Sequence, residues 1–157
     1  LKEGRRVLKS SGDILGALSS ISLQSKLNYY YKVQTKTSDY AADFDFWVGD
    51  AFLRLGVENR SGSDKLSNIQ QSIRIYNGLR ARFGLFYSKP GVGLDYEMGQ
   101  TLISSELYNF DTLQVDLLLR YAVFDYMDVI GGISDVGNED REYILGFSLF
   151  SNKKSKL

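Results

Sequence analysis

The chain has 157 residues with 19 basic and 19 acidic side chains, so it carries no formal net charge. It contains neither cysteine nor histidine, which excludes disulfides, thiolate sites, histidine-activated nucleophiles and the usual zinc ligand sets. No run of about 18 apolar residues occurs, so a membrane-spanning helix is not expected. We therefore expect no enzyme activity, no cofactor, no metal site and no nucleic-acid partner.

Residues 1–24 differ in pattern from the rest of the chain. Apolar residues such as Val7, Leu8, Ile14 and Leu18 recur at roughly helical spacing, while several glycines weaken any isolated helix. We interpret this segment as the end of a helical conduit or linker, that is, a short helical stub. A disordered leader is the alternative.

From residue 25 to residue 150, apolar and polar residues alternate with the period of two that is typical of β-strands. The expected strands span residues 26–37, 40–49, 51–59, 69–76, 79–88, 91–98, 102–109, 113–124, 127–134 and 142–150. A transmembrane strand needs about 9 to 11 residues, and bacterial outer-membrane barrels use an even number of strands. The pattern predicts an all-β fold, an antiparallel transmembrane barrel of about ten strands, followed by a solvated tail over 151–157.

The connections between these strands alternate between tight and longer. Those after the second, fourth, sixth and eighth strands are minimal, namely Gly49-Asp50, Asn77-Gly78, Gly99-Gln100 and the step through Asp125. Asn-Gly is the strongest dipeptide signal for a two-residue hairpin turn. The other connections are expected at 60–68, 89–90, 111–112 and 135–141. Outer-membrane barrels have short periplasmic turns, so the tight turns and both chain ends are expected on the periplasmic side.

Within single strands the alternation separates an apolar face from a charged face. The candidates for facing lipid are Phe83, Leu85, Leu94, Tyr96, Leu117, Leu119 and Tyr121. The candidates for ion pairs in the lumen are Arg80, Arg82, Arg120, Asp95, Glu97 and Asp116. Gly91 and Gly93 are expected to make room in a crowded lumen or to permit strand curvature. Trp47 is expected in an aromatic girdle at the periplasmic boundary.

Alternation alone does not say which face of a barrel is inside. A soluble lipocalin-like ligand-binding barrel would turn the apolar face inward, and that interpretation stays open. The polar face carries both charge signs, which could neutralise one another in a lumen, but soluble proteins mix surface charges as well. Chain length and strand length favour the membrane. A small stand-alone outer-membrane porin or adhesin is the other alternative. Barrels of eight strands are just filled by side chains, whereas about sixteen strands leave an aqueous channel, so ten strands argue against a porin.

The stretch over residues 79–96, Leu-Arg-Ala-Arg-Phe-Gly-Leu-Phe-Tyr-Ser-Lys-Pro-Gly-Val-Gly-Leu-Asp-Tyr, resembles a strand pair of the C-terminal barrels fused to MCE (mammalian cell entry, MlaD-like) proteins of diderm bacteria. The resemblance continues at 107–111, 120–121, 131–135 and 145–147. It implies an outer-membrane anchor that ends a trans-envelope phospholipid-trafficking protein. It also implies phospholipid as cargo, outer-membrane lipids and an inner-membrane ABC-type transporter as partners, and a homo-oligomer formed through the MCE ring.

Overall fold

A computed structural model describes residues 20–62, 64–137 and 139–151. Over these ranges the chain forms a closed antiparallel barrel in which each strand pairs with its sequence neighbours and the first pairs with the last. The strands are β1 (Ile21–Lys32), β2 (Thr37–Val48), β3 (Ala51–Asn59), β4 (Leu66–Tyr76), β5 (Leu79–Phe86), β6 (Lys89–Met98), β7 (Thr101–Tyr108), β8 (Gln114–Phe124), β9 (Met127–Ser134) and β10 (Glu142–Phe150). The predicted all-β barrel and its ten strands are confirmed.

The expected helical stub lies outside the described residues, apart from its last few positions, and most of the expected tail lies outside them as well. Within the described ranges, no helix has the length and apolarity to cross a membrane. β1 begins at Ile21, so the expected start of the first strand at residue 26 is wrong. Ile21 and Leu23 continue the outward apolar alternation of this strand, and they pair with Val48 and Phe46 of β2.

The four tight turns form where the sequence predicts them, over residues 49–50, 77–78, 99–100 and 125–126. Gly49, Gly78 and Gly99 each have a positive φ, which glycine adopts without steric cost. These turns define one rim of the barrel, here called the turn end. β1 begins and β10 ends at this rim, where the Phe150 N–H donates to the Tyr126 carbonyl. The opposite rim, here called the loop end, carries the connections 33–36, 60–65, 87–88, 109–113 and 135–141.

The connection between β5 and β6 is not where Lys89-Pro90 suggests. Tyr87 and Ser88 form the turn with φ values of 53° and 64°, and Pro90 lies within β6, where its carbonyl accepts the Asn109 N–H. Positive φ at both central positions is the requirement of a type I′ hairpin turn, which Asn and Gly usually meet. Tyr87 and Ser88 are not residues that usually indicate such a turn, so the sequence pattern placed the connection at residues 89–90, which is wrong.

The barrel is polar inside and apolar outside. Polar and charged side chains fill most of the interior, joined near the loop end by a small apolar cluster of Leu118, Ile130 and Ile144. The side chains predicted to face lipid all lie on the outer surface and are exposed, namely Phe83, Leu85, Leu94, Tyr96, Leu117, Leu119 and Tyr121. Leu119 is 49% exposed, while the neighbouring Arg120 is 8% exposed. The alternation predicted from the sequence is therefore present, with its charged face inside.

Candidate functional site

The interior is organised around Arg82, a β5 residue that is 2% exposed. One Nη atom donates to Gln70 Oε1 at 2.7 Å and to Glu106 Oε1 at 2.9 Å, and the other donates to Asp95 Oδ1 at 2.8 Å. Its partners come from β4, β6 and β7, so one side chain connects four strands. Arg82 and Asp95, two of the candidates for ion pairs in the lumen, contact each other here.

Glycine at position 93 leaves the space that Arg82 occupies. A Cβ atom built on Gly93 would lie 3.2 Å from the guanidinium carbon of Arg82. A Cβ atom on Gly91 would lie 2.7 Å from both the Leu107 carbonyl oxygen and the Tyr108 Cβ. Both glycines therefore make room in the lumen, as the sequence predicts.

A second group of side chains continues from Arg82 to the loop end. The Tyr87 hydroxyl donates to Glu106 Oε2 at 2.7 Å, and the guanidinium of Arg60 lies 3.6 Å from the centre of the Tyr87 ring. Arg60 also pairs with Glu58 at 2.6 Å. Burial, reinforced by the Glu106 carboxylate, raises the pKa of the Tyr87 phenol well above its ordinary value, so this hydroxyl remains a donor. We call Arg82, Glu106, Tyr87, Arg60 and Glu58 the plug.

The plug leaves a cavity of only about 20 Å³ at the loop end, roughly the space needed for one water molecule. Asp116 lies beside it, where it accepts hydrogen bonds from the Tyr108 hydroxyl at 3.0 Å and the Asp135 N–H at 2.9 Å. Its nearest cation is Arg60 at 3.9 Å. Asp116 therefore pairs with a loop arginine rather than with the strand arginines that the sequence offered.

Further ion pairs bridge neighbouring strands in the interior. Arg54 forms two parallel hydrogen bonds of 2.7 Å with Asp45, a bidentate geometry that is the strongest form of such a pair. The Lys26 ammonium lies 3.2 Å from Asp43, and Lys32 lies 2.8 Å from Asp39. These contacts satisfy charges that would otherwise be costly to remove from water.

A larger cavity of about 410 Å³ opens at the turn end, and we call it the vestibule. Trp47 and Phe52 lie in its wall with their ring centroids 4.8 Å apart. The guanidinium of Arg80 lies 4.6 Å from the Trp47 ring centre, and one Nη atom donates to the Asp50 carbonyl at 3.1 Å. Trp47 faces the interior, so its expected place in an outward girdle is wrong.

Three of the predicted lumen residues do not form the expected ion pairs. None of the salt bridges among the described residues includes Arg80, Arg120 or Glu97. All three line the vestibule, where the open space keeps opposed side chains apart. Period-two alternation places a residue on the inner face, but it does not say whether a partner lies within reach.

Sequence reasoning missed Glu106 and Arg60. Glu106 alternates with the outward Ile103 and with Leu107 along β7, so the period-two pattern could have found it. Arg60 follows the end of β3 in a loop, where periodicity gives no direction for a side chain. Within the described part of the chain, no group of three acidic side chains is arranged to hold a metal ion.

Comparison with known proteins gives one family. A family model described as a lipocalin-like domain matches residues 16–154, and no match was found among curated proteins. Two solved structures are similar at low identity. One, described as "De novo design of transmembrane beta-barrels", is 12% identical with a TM-score of 0.44 and covers 83% of this chain and 95% of that chain. The other, "Solution NMR structure of de novo designed TMB2.3", is 12% identical with a TM-score of 0.43 and covers 86% of this chain and 96% of that chain.

Proposed function

This chain belongs to the lipocalin-like domain family whose model matches residues 16–154, and from that premise we propose that it is an outer-membrane barrel of a diderm bacterium. In this proposal it is a non-catalytic anchor that ends a trans-envelope MCE-type protein of phospholipid trafficking. Membership of this family agrees with a β-barrel fold. The distribution of polar and apolar side chains over the inner and outer faces of the barrel supports the membrane location.

The observation that carries the membrane proposal is the apolar outer surface. Leu94, Leu117 and Leu119 are exposed around the barrel together with most of its other large apolar side chains. Soluble monomers rarely expose contiguous apolar patches of more than a few hundred Å². A lipid-facing apolar band around a polar interior is the arrangement of a transmembrane β-barrel.

The plug supports an anchor rather than a pore. Arg82 and Tyr87 are held by Glu106 across the interior, and the cavity beyond them is about 20 Å³. A porin needs a continuous aqueous path, which in barrels of known size comes with about sixteen or more strands. The stand-alone porin alternative is therefore disfavoured by the geometry.

The trafficking part of the proposal is supported by the resemblance over residues 79–96, which form the β5–β6 hairpin. β1 begins and β10 ends at the turn end, which is the expected periplasmic side. A periplasmic conduit joined to the barrel would therefore meet it beside the vestibule. In this proposal phospholipid is the cargo, outer-membrane lipids surround the barrel, and an ABC-type transporter and further copies of the chain are partners through the MCE region.

A second candidate is a soluble lipocalin-like ligand-binding barrel. It is favoured by the family description and by a cavity of about 410 Å³, a size within the range of about 300 to 1,000 Å³ of small-molecule sites. A soluble barrel of this kind keeps its apolar side chains inside, whereas this one has Asp43 and Arg82 inside and Leu119 outside.

The two candidates differ in what the 157-residue chain does without detergent. We expect it to fold only with micelles or lipid vesicles, to float with the vesicles in a density gradient and to resist extraction at alkaline pH. A folded, monodisperse protein in plain buffer would favour the soluble candidate. For the trafficking role, deletion of residues 21–150 from the gene should alter the phospholipid content of the outer membrane. Unchanged lipid content would contradict that role.

A further inference from the structure

The vestibule has the features of a binding site, and we infer that it holds one anionic head group, a phosphate or a carboxylate, between Arg80 and Arg120. The proposed function gives the vestibule a location but no ligand. The inference rests on the proposed function only in taking a lipid as the favoured source of that head group.

The two arginines are buried and have spare hydrogen-bonding capacity. Arg80 is 5% exposed and Arg120 is 8% exposed, and both line the vestibule. The Nε atom of each is buried without a hydrogen-bond partner, and neither belongs to an ion pair within the described residues. A guanidinium presents its N–H groups in a planar fork that matches the oxygens of phosphate and carboxylate. Both arginines border the cavity in which an anion would bind.

In the described part of the chain, three of the six carboxylates that line the vestibule are paired with other cations. Asp45 is held by Arg54 at 2.7 Å and Asp95 by Arg82 at 2.8 Å. Asp50, in the turn at the rim, pairs with Arg74 at 3.1 Å, and buried Asp128 has contacts of its own. Glu97 and Asp125 also line the cavity. Arg80 and Arg120 are therefore the vestibule cations that remain for a ligand.

The walls favour an anion that carries an apolar chain. Trp47 and Phe52 form an aromatic surface beneath Arg80, while Leu102, Val123 and Phe124 line the cavity as well. A head group at the arginines would leave an attached chain beside these side chains, pointing toward the open turn end. The plug closes the other end, so the vestibule is blind. A head group would therefore enter and leave the vestibule through its single opening at the turn end.

The chain provides its own reporter, because Trp47 is the single tryptophan and lies in the vestibule wall. The full chain, folded in maltoside micelles, is titrated separately with dihexanoyl phosphatidic acid, with inorganic phosphate and with dihexanoyl phosphatidylcholine while tryptophan fluorescence is recorded. We expect a saturable change with phosphatidic acid and a much weaker one with phosphatidylcholine, which carries no net charge. Equal affinity for both lipids would overturn the assignment of an anion site.

The inorganic phosphate arm identifies the source of the head group. Weak binding of phosphate beside tight binding of phosphatidic acid supports a lipid, and equal binding supports a free phosphate-type anion in the same site. Saturation by neither probe would overturn the inference. Micelle binding is independent of vesicle flotation, so failure here and failure of the membrane proposal are distinguishable.

Matched variants test the two arginines. Arg120→Gln and Arg80→Gln should each weaken phosphatidic acid binding by about tenfold or more, because each removes a charge-assisted pair of hydrogen bonds. Arg141→Gln removes the same charge from an exposed position at the loop end, outside the lining of the vestibule, and should leave affinity within about twofold. Equal loss in all three variants would overturn the site.

A measurement on the unaltered protein covers the case in which a variant fails to fold. Nitrogen NMR of the arginine Nε–H groups should show two resonances that shift with phosphatidic acid. Those resonances are assigned to Arg80 and Arg120 by the chemical shifts of their own strands. Shifts confined to other arginines would contradict the inference.

Discussion

Arg82 keeps its charge inside the barrel because acceptors from three other strands surround it. Gln70, Asp95 and Glu106 each lie within 2.9 Å of its guanidinium. Removing one partner of a buried pair costs more than the intact pair contributes, because the remaining charge is left without compensation. The plug is therefore sensitive to single substitutions in a way that exposed pairs are not.

Arg82→Met should lower the free energy of unfolding by about 3 to 5 kcal/mol, since Asp95 and Glu106 would remain buried without their cation. Urea titration of the protein in micelles, followed by tryptophan fluorescence, measures the change. Arg74→Met is the matched control, because Arg74 and Asp50 are 30% and 62% exposed, and it should cost about 1 kcal/mol or less. Similar values for the two variants would contradict a buried plug.

The residues of the interior were predictable to different degrees. Arg82 and Asp95 fall on the inner face of adjacent strands, as alternation predicts. The register places Arg80 opposite Asp95 and Gly93 opposite Arg82, so the pairing of Arg82 with Asp95 does not follow from alternation. The same alternation places Arg80 and Arg120 inside, but the vestibule that separates them from partners depends on how all the strands close. Arg60 has no periodic signal because it lies beyond the end of β3.

At the scale of an element, three of the four tight turns contain a glycine with positive φ, yet the surroundings of these glycines differ. A Cβ atom on Gly78 would lie 2.7 Å from the Glu97 carbonyl oxygen, whereas one on Gly49 would have nothing within 4 Å. Glycine is therefore required at position 78 for two reasons. The backbone has a positive φ there, and the backbone of β6 lies close to it. The Tyr87-Ser88 turn carries no Asn-Gly signal, which is why the sequence misplaced it.

Gly78→Ala should destabilise the protein more than Gly49→Ala. Both variants adopt a left-handed conformation at a cost of roughly 1 to 2 kcal/mol, and only Gly78→Ala adds a clash with backbone atoms. Urea titration of the two variants side by side gives the difference. Equal destabilisation would show that β6 does not approach this turn as closely as described.

The outer face of β8 provides a second test at this scale. Leu119→Arg should cost about 2 to 4 kcal/mol in vesicles if it lies near the bilayer midplane. Asp111→Arg, in the exposed connection between β7 and β8, should change vesicle folding little. The yield and stability of folding into vesicles measure both. Tolerance of Leu119→Arg equal to that of Asp111→Arg would place β8 in water.

At the scale of the whole molecule, the strand number, the tight turns and the two faces of the strands follow from the sequence. Which of the two faces lies inside the barrel does not. A ribbon of alternating residues can close with either face inward. The structure closes with Asp43, Arg82 and Glu106 inside and with Leu94 and Leu119 outside. Charge pairing across neighbouring strands is the physical reason that the polar face can be the interior.

A closed loop end predicts poor conduction. The chain reconstituted in a planar bilayer should show no stable openings of porin size, because the plug leaves about 20 Å³ beyond it. Arg60→Ala opens the plug at its loop side and should raise the frequency of brief openings, while Arg74→Ala should not. Large, steady conductance of the unaltered protein would contradict the anchor and favour a channel.

The account depends most on lipid lying against the outer face, and spin labels can measure this directly because the chain has no native cysteine. Leu94→Cys, Leu119→Cys and Asp111→Cys are each labelled with a nitroxide in the chain reconstituted in vesicles. The labels at 94 and 119 should relax readily with oxygen, which concentrates in the bilayer, and weakly with a water-soluble nickel chelate. The label at 111 should show the reverse. Strong relaxation by the nickel chelate at 94 and 119 in the folded protein would contradict a membrane-embedded barrel.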